Sequence, residues 1–285
     1  MANSTNLVRG KVCMVTGATS GIGLVTAQAL ARQGATVIVV GRNRERGVAT
    51  VKRIQQETGN AAVDWMVADL SVQAQVRQLV REFRERFARL DVLVNNAGAL
   101  FARRSLSLDG IEMTFALNHL AYFLLTNLLL DTLKASAPAR IVNVASAAHR
   151  GAQIDVADVQ GERRYSGWRA YAQSKLANLL FTYELARRLE GTGVTANALH
   201  PGFVATNFGR SNRGLVSLII RVSQLAAISP EQGAQTIIYL ATAPEVEGIS
   251  GKYFVKQRVV PSSEASYDRD AAQRLWQVSA TMTGL

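Results

Sequence analysis

Tyr171 and Lys175 stand four residues apart in Tyr171-Ala172-Gln173-Ser174-Lys175. On a helix, that spacing puts both side chains on one face, a turn apart. A free tyrosine has a pKa of about 10, too high for ready proton exchange at neutral pH. A neighbouring ammonium favours the phenolate and lowers that value, which makes the pair a candidate general acid/base. Y-x-x-x-K also occurs by chance on exposed helices, so the residues around it matter. Ser146 closes the apolar run Val142-Asn143-Val144-Ala145-Ser146, and Asn118 interrupts an apolar stretch where a polar amide needs a buried partner.

A second segment has the form of a phosphate cradle. Thr16-Gly17-Ala18-Thr19-Ser20-Gly21-Ile22-Gly23 follows a first apolar strand and opens a helix. Glycines there let backbone amides approach a pyrophosphate lying on the positive end of the helix. A plain structural turn is the alternative for glycines in isolation; the strand-to-helix context favours a dinucleotide. The second strand ends Val39-Val40-Gly41-Arg42. A carboxylate there would grip a ribose 2′-hydroxyl, as in NAD binders, whereas an arginine accommodates a 2′-phosphate. Arg42 therefore points to NADP(H) over NAD(H), with Arg44 and Arg46 as helpers or as solvated helix residues.

The elements that must position these residues alternate along the chain. Short β-branched runs at 12–16, 36–40, 62–67, 92–95, 141–145, 194–198 and 252–255 read as strands. Between and after them, 22–33, 48–57, 72–87, 108–133, 168–190, 230–241 and 268–278 read as helices. This βαβ rhythm predicts an α/β fold: a single doubly wound Rossmann domain over residues 1–285, with about seven parallel strands and helices on both faces. In a parallel sheet, residues just past the carboxyl ends of strands face the ligand crevice, where Ser146 and Asn95-Asn96-Ala97-Gly98 fall. An insertion at 203–229 and a tail at 256–285 complete the chain.

Composition narrows the function. The formal charge of +11 is spread along the 285 residues, and its densest stretch is only Arg42-Asn43-Arg44-Glu45-Arg46. No basic block with interleaved aromatics is present, so no nucleic-acid partner is expected; the charge suits solubility and an anionic cofactor. Cys13 is the single cysteine, which rules out an internal disulfide or a cysteine metal cluster and fits a reducing cytoplasm. Residues 1–9 lack the apolar core of a signal peptide. The uncharged run 113–130 carries Thr114, Asn118, His119, Thr126 and Asn127 and is shorter than the roughly 20 apolar residues of a span, so a buried helix is expected rather than a transmembrane segment. None of the three histidines, His119, His149 and His200, has a partner at metal-ligand spacing, and no metal is expected.

Taken in order, TGATSGIG at 16–23, NNAG at 95–98, Asn118, Ser146 with Tyr171 and Lys175, and Pro201-Gly202 resemble the short-chain dehydrogenase/reductase family over nearly the whole chain. The resemblance implies roles. Tyr171 would exchange a proton with a carbonyl or alcohol oxygen, which Ser146 would hydrogen-bond. Lys175 would lower the tyrosine pKa and bind the nicotinamide ribose, and Asn118 would anchor a relaying water. The cofactor would be held by Gly17, Thr19, Ser20, Gly21, Ile22, Gly23 and Arg42, with Asp69 and Leu70 at the adenine. Asn95, Ala97 and Gly98 would lie along it, and Pro201, Gly202, Val204 and Thr206 would meet its carboxamide end.

Within the family the chain is most similar to the retinol-dehydrogenase-like branch. Asn118-His119-Leu120, the 25-residue gap from Ser146 to Tyr171, Leu275-Trp276 and Thr283-Gly284-Leu285 carry that similarity. Two departures are Ser20, where many NADP-preferring relatives have a basic residue, and residues 1–9, from which the N-terminal membrane anchor common in vertebrate retinol dehydrogenases is not expected.

The expected reaction is hydride exchange between nicotinamide and a hydrophobic aldehyde/ketone–alcohol pair. Two alternatives remain: reduction of a conjugated carbon–carbon bond, as in protochlorophyllide reductases, and a non-catalytic NADP sensor. Leu215, Ile219, Val222 and Ala226 recur at helical spacing in the insertion and suggest a lid over an apolar substrate. Arg210, Arg213 and Arg221 beside them also allow peripheral membrane contact. Residues 147–168, with His149, Arg150 and Trp168, are expected to form the other pocket wall, and a homo-oligomer is the family's habit.

Overall fold

The computed structural model describes residues 8–203 and 228–285. Its strands are β1 (Val12–Thr16), β2 (Thr36–Gly41), β3 (Val63–Val67), β4 (Val92–Asn95), β5 (Ala139–Val144), β6 (Val194–His200), β7 (Tyr253–Val255) and β8 (Arg258–Val259). They form one sheet in the order β3-β2-β1-β4-β5-β6-β7-β8. Every pairing is parallel except β7 with β8. The two-residue β8 is the strand that sequence periodicity is too short to register. Strand order reverses between β1 and β4, and a crevice opens at such a switch point, at the carboxyl ends of the strands.

The alternation of side chains along each strand explains the two helical layers. Val12, Met14, Ile38 and Val40 pack on one face with α3 (Gln73–Arg86), α5 (Ala121–Ala135) and α6 (Gly167–Arg188). Cys13, Val15, Val37 and Val39 pack on the other with α1 (Gly21–Arg32), α2 (Arg44–Thr58) and α7 (Pro230–Thr242). Both strand faces are therefore apolar, and each fully buried Val, Leu or Ile contributes about 1.5–3 kcal/mol by leaving water. Burial pushes the Cys13 thiol far above its ordinary value, consistent with an inert core residue.

The helix expected from residue 108 begins later. Asp109-Gly110 makes a turn, with Gly110 at φ +72° and its N–H on Ser107 O. The buried Glu112 carboxylate then caps α4 (Met113–Phe115), accepting from Thr114 N at 2.9 Å and Phe115 N at 2.8 Å. A π turn (Ala116–Leu120) joins α4 to α5 and contains Asn118. By length and composition, Met113–Ala135 is apolar enough to cross a membrane, yet most of it is buried in this fold. The tail is docked by α8 (Arg269–Thr283), longer than the expected 268–278, which packs on α6. Trp276 lies edge-on to Phe123 at 4.9 Å between ring centroids, and the Arg188 guanidinium covers its ring at 4.0 Å.

Trp65, in the middle of β3, fits only because its neighbours lack side chains. A Cβ at Gly47 would lie 2.0 Å from Trp65 Cε2, and one at Gly41 would lie 3.1 Å from Cη2. Helix propensity alone would make Gly47→Ala favourable by about 1 kcal/mol. The clash with a rigid ring outweighs that, so the variant is expected to lose about 1–3 kcal/mol in denaturant unfolding. A gain in stability would show that Trp65 does not rest on Gly47.

Candidate active site

The crevice is built on Thr16. Its buried hydroxyl donates to Val94 O at 3.2 Å and accepts the N–H groups of Asn96 at 2.8 Å and Ala97 at 3.1 Å. Asn96 Nδ2 returns a bond to Thr16 O at 2.8 Å. Around this seam the glycine loop is pressed against the 95–98 segment. Gly17 has φ +66°, and a Cβ there would sit 2.9 Å from Ala97 Cα. A Cβ at Gly23 would sit 2.5 Å from Asn96 Nδ2 and 2.6 Å from Gly17 O. Gly21 also has positive φ, and Ser20 caps α1 without a side-chain bond to its amides. First-turn donors of a 12-residue helix with no acidic residue in that turn thus face an anion's approach, with Thr19, Ser20 and Ile22 around them.

Arg42 follows β2, its side chain 76% exposed, with Nη1 4.0 Å from Asp69 Oδ2. Asp69 is held by Ser71 N at 3.0 Å and Ser71 Oγ at 2.7 Å, and Leu70 beside it is buried. An exposed pair this long is worth little, under about 1 kcal/mol, so the guanidinium is free to turn to a stronger anion. Arg44 and Arg46 are exposed in the first turn of α2.

The expectation that Asn95 lies along a cofactor needs correction for its side chain, which points into the protein. Its Nδ2 donates to Thr126 Oγ1 at 2.9 Å and to Asn143 Oδ1 at 2.8 Å. Asn143 donates to Thr182 Oγ1 at 3.0 Å, so a buried ladder ties β4 and β5 to α5 and α6. Asn96 makes the crevice contacts instead. Sequence reasoning places Asn96 at the crevice with the rest of 95–98 but assigns the cofactor role to Asn95, because nothing in Asn95-Asn96 distinguishes the last strand residue from the one after it. Gly98 packs on the catalytic cluster: a Cβ there would lie 3.2 Å from Asn118 Oδ1 and 3.5 Å from Lys175 Nζ.

The structure brings together the four residues expected to carry the chemistry. Asn118 grips the 98–99 segment, its Oδ1 accepting from Ala99 N at 2.9 Å and its Nδ2 donating to Ala99 O at 2.9 Å and Ser174 Oγ at 3.0 Å. Its side chain is a fastener between that segment, the π turn and α6. Lys175 is 3% exposed, and its Nζ donates to Val144 O at 3.0 Å while lying 5.6 Å from the Tyr171 ring centre and 5.8 Å from that of Tyr122. Ser146, two residues beyond Val144, hydrogen-bonds the Tyr171 side chain.

The electrostatics reverse one expectation. Burial pushes the Tyr171 hydroxyl up to about 12, against a smaller downward pull from the Ser146 bond. The same loss of water pushes Lys175 down to about 7. Desolvation dominates both shifts, because a low dielectric penalises both charged forms. The site therefore offers a protonated phenol beside an amine that titrates near neutrality.

Of the side chains named for the far wall, Trp168 is 63% exposed, its ring 6.0 Å from that of Tyr171. His149 is fully buried, and Arg150 donates to Pro261 O at 2.9 Å. On the carboxamide side, Pro201 and Gly202 follow β6, and Ile228 N donates to Phe203 O at 2.8 Å where the chain returns. Val204, Thr206 and nearly all of the 203–229 lid lie outside the described residues. A cleft of about 770 Å³ lined by Lys11, Arg140, Gly193 and Glu247 lies at the amino ends of the strands and shares no residue with this site.

A glycine-rich turn at the sheet's switch point beside a Ser–Tyr–Lys cluster defines a nucleotide-dependent oxidoreductase, and the chain belongs to the short-chain dehydrogenase family, whose model matches residues 11–214. It is 45% identical to human retinol dehydrogenase 13, over 98% of this chain and 86% of that one. It is 44% identical to mouse retinol dehydrogenase 12, over 99% and 89%. Among solved structures, an uncharacterised protein from Mycobacterium paratuberculosis superposes with a TM-score of 0.80 at 33% identity, covering 98% of this chain and 96% of that one. A short-chain dehydrogenase from Burkholderia cenocepacia in complex with NADP gives 0.70 at 29% identity, covering 87% and 97%.

Lys175 makes the electrostatics testable. Its folded pKa, about 7, lies below the ordinary 10.5, so the unfolded chain binds more protons between those values and stability rises with pH across that window. The burial cost is complete below about pH 7 and gone above about pH 10.5. Lys175→Met removes it, with a pH-independent offset of about 1 kcal/mol for the lost bond to Val144. The melting temperature of the variant relative to wild type is expected to be highest at pH 7 and to decline steadily toward pH 10. A difference that stays flat across that range would contradict the assigned shift.

Proposed function

We propose that this oxidoreductase is an NADP(H)-dependent carbonyl reductase or alcohol dehydrogenase for apolar aldehydes, ketones and their alcohols. The carrying observation is the Ser146–Tyr171–Lys175 cluster, with Tyr171 and Lys175 buried and Ser146 half-buried two residues past β5, at the carboxyl edge of the sheet. The crevice residues fit a dinucleotide: glycines at positions a Cβ would fill, uncapped amides of α1, and an exposed arginine where a 2′-phosphate would fall. When bound, the nicotinamide supplies the hydride for reduction or accepts it in oxidation.

In reduction, the Tyr171 hydroxyl gives its proton to the substrate oxygen as negative charge develops there. In oxidation it passes its own proton to the neutral Lys175 amine and takes the alcohol proton in its place. Ser146 donates to the same oxygen and keeps it within reach of Tyr171. Lys175, fixed on Val144 O, holds the ribose and returns the proton to Tyr171. Arg42, with no carboxylate at position 41, supports NADP(H) over NAD(H), as do related structures solved with NADP or NADPH. Similarity to retinol dehydrogenases and the exposed rings of Trp168 and Phe203 support an apolar substrate. In this reading the 203–229 insertion is a lid that excludes water from the reaction, and Val204 and Thr206 hold the carboxamide.

Tyr171→Phe is expected to bind NADPH within about threefold of wild type and to lose turnover of apolar aldehydes by about 10²–10⁴-fold. Turnover at the wild-type rate would refute the proton-donor assignment. Arg42→Ala is expected to weaken NADPH binding about 10–100-fold, the strength of a charge-assisted contact, and to leave NADH binding nearly unchanged. Equal loss for both cofactors would mean that Arg42 does not read the 2′-phosphate.

A further inference from the structure

Ser146 and Tyr171 must meet at one substrate oxygen, yet they come from different elements, the end of β5 and the first turns of α6. His149 connects them by a route that the reaction scheme does not use. Its ring is fully buried and lies edge-on to Tyr253, with centroids 5.1 Å apart. Its Nδ1 is 2.6 Å from Ser146 O, and its Nε2 is 3.1 Å from Ser263 N.

Counting protons fixes the tautomer. A backbone N–H can only donate, so Nε2 must be the bare, accepting nitrogen. The neutral ring then carries its proton on Nδ1, which donates to the Ser146 carbonyl. On the other side, Ser263 belongs to a turn pinned to α6: Tyr183 Oη and Ser262 Oγ are 2.7 Å apart, and Ser262 Oγ and Ser266 Oγ 2.6 Å. Tyr183 lies on the same helix as Tyr171. The chain of contacts runs from Ser146 through His149, the 262–266 turn and Tyr183 back to the helix that carries Tyr171.

We propose that His149 is a positioning residue: its Nδ1–H fixes the Ser146 peptide, and Ser263 enforces the tautomer that makes this bond. The Ser146 hydroxyl is aimed by that peptide, which also has Ala148 N on Oγ at 3.2 Å and His149 N on its carbonyl at 3.2 Å. Reacting groups lose rate steeply when displaced by about 1 Å, so loss of this bond acts on kcat through Ser146 without touching the cofactor. The inference rests on the proposed role of Ser146 in carbonyl reduction.

Two substitutions separate the two bonds. In His149→Asn the amide nitrogen takes the place of Nδ1 and can still donate to Ser146 O, while the acceptor for Ser263 is lost. In His149→Gln the amide oxygen takes the place of Nε2, and the donor to Ser146 is lost. With NADPH and an apolar aldehyde, His149→Gln is expected to lose at least about tenfold in kcat and His149→Asn no more than about threefold, with NADPH affinity unchanged in both. Equal loss in the two variants, or none in His149→Gln, overturns the proposal.

A readout independent of turnover is the nitrogen-15 NMR spectrum of the wild-type histidines at pH 7. Protonated Nδ1 with bare Nε2 at His149 supports the arrangement; the opposite tautomer overturns it, even if His149→Gln fails to fold. Ser146→Ala separates the two levels of the argument. If that variant keeps full activity, the role of Ser146 fails and the positioning role of His149 falls with it. If Ser146→Ala is dead and His149→Gln is fully active, only the role of His149 fails.

Discussion

A doubly wound sheet has to separate two of its central strands' connections to make a crevice, and here that separation occurs between β1 and β4. The Thr16 hydroxyl sits at this point and satisfies three backbone groups of the β4 exit. Because those groups are buried, leaving any of them unpaired would cost about 1–3 kcal/mol, so the seam holds the 95–98 segment against the glycine loop. The tight glycine contacts follow from that closeness: Gly17 on Ala97, Gly23 on Asn96, and Gly98 over Asn118 and Lys175. One seam thus sets the floor of the nucleotide crevice and the roof of the proton-transfer cluster.

The cluster beneath it is held by polar bonds in an otherwise dry interior. Asn118 spends its whole amide on Ala99 and Ser174, and the Asn95–Asn143–Thr182 ladder stitches strands to helices behind it. Such a buried network rigidifies what it joins, although Asn95 Oδ1 within it is buried without a hydrogen-bond partner among the described residues. The same dryness keeps Tyr171 protonated and makes Lys175 a weak base. Stability is lost by burying a lysine this way; what is gained is an amine that exchanges protons near neutral pH beside the phenol.

Much of this was legible in the sequence, and the reasons are physical. Strands buried on both faces read as unbroken apolar runs, so 12–16 and 92–95 were placed to the residue, and the motif residues fell at strand ends as a parallel sheet requires. The helix start at Met113 was missed because Asp109-Gly110 was read as helical periodicity and not as a turn with a carboxylate cap after it. The pKa pattern was missed because spacing reveals which charges are near, but not how little water surrounds them. Asn95 and His149 were assigned to the crevice because residue type suggests chemistry, whereas direction depends on backbone geometry that only the fold supplies. His149 in particular is partnered by Ser263, more than a hundred residues away, which no local pattern could announce.

The central claim is that this fold moves a hydride to a carbonyl carbon while Tyr171 supplies the proton to its oxygen. The most direct measurement is reduction of an apolar aldehyde such as retinal with NADPH deuterated at the transferable position of the nicotinamide, followed by mass spectrometry and NMR of the product. The account predicts one deuterium on the carbinol carbon of the alcohol and none elsewhere in the chain. Deuterium on a formerly unsaturated carbon with the carbonyl intact, or no transfer from a cofactor that binds tightly, would contradict it.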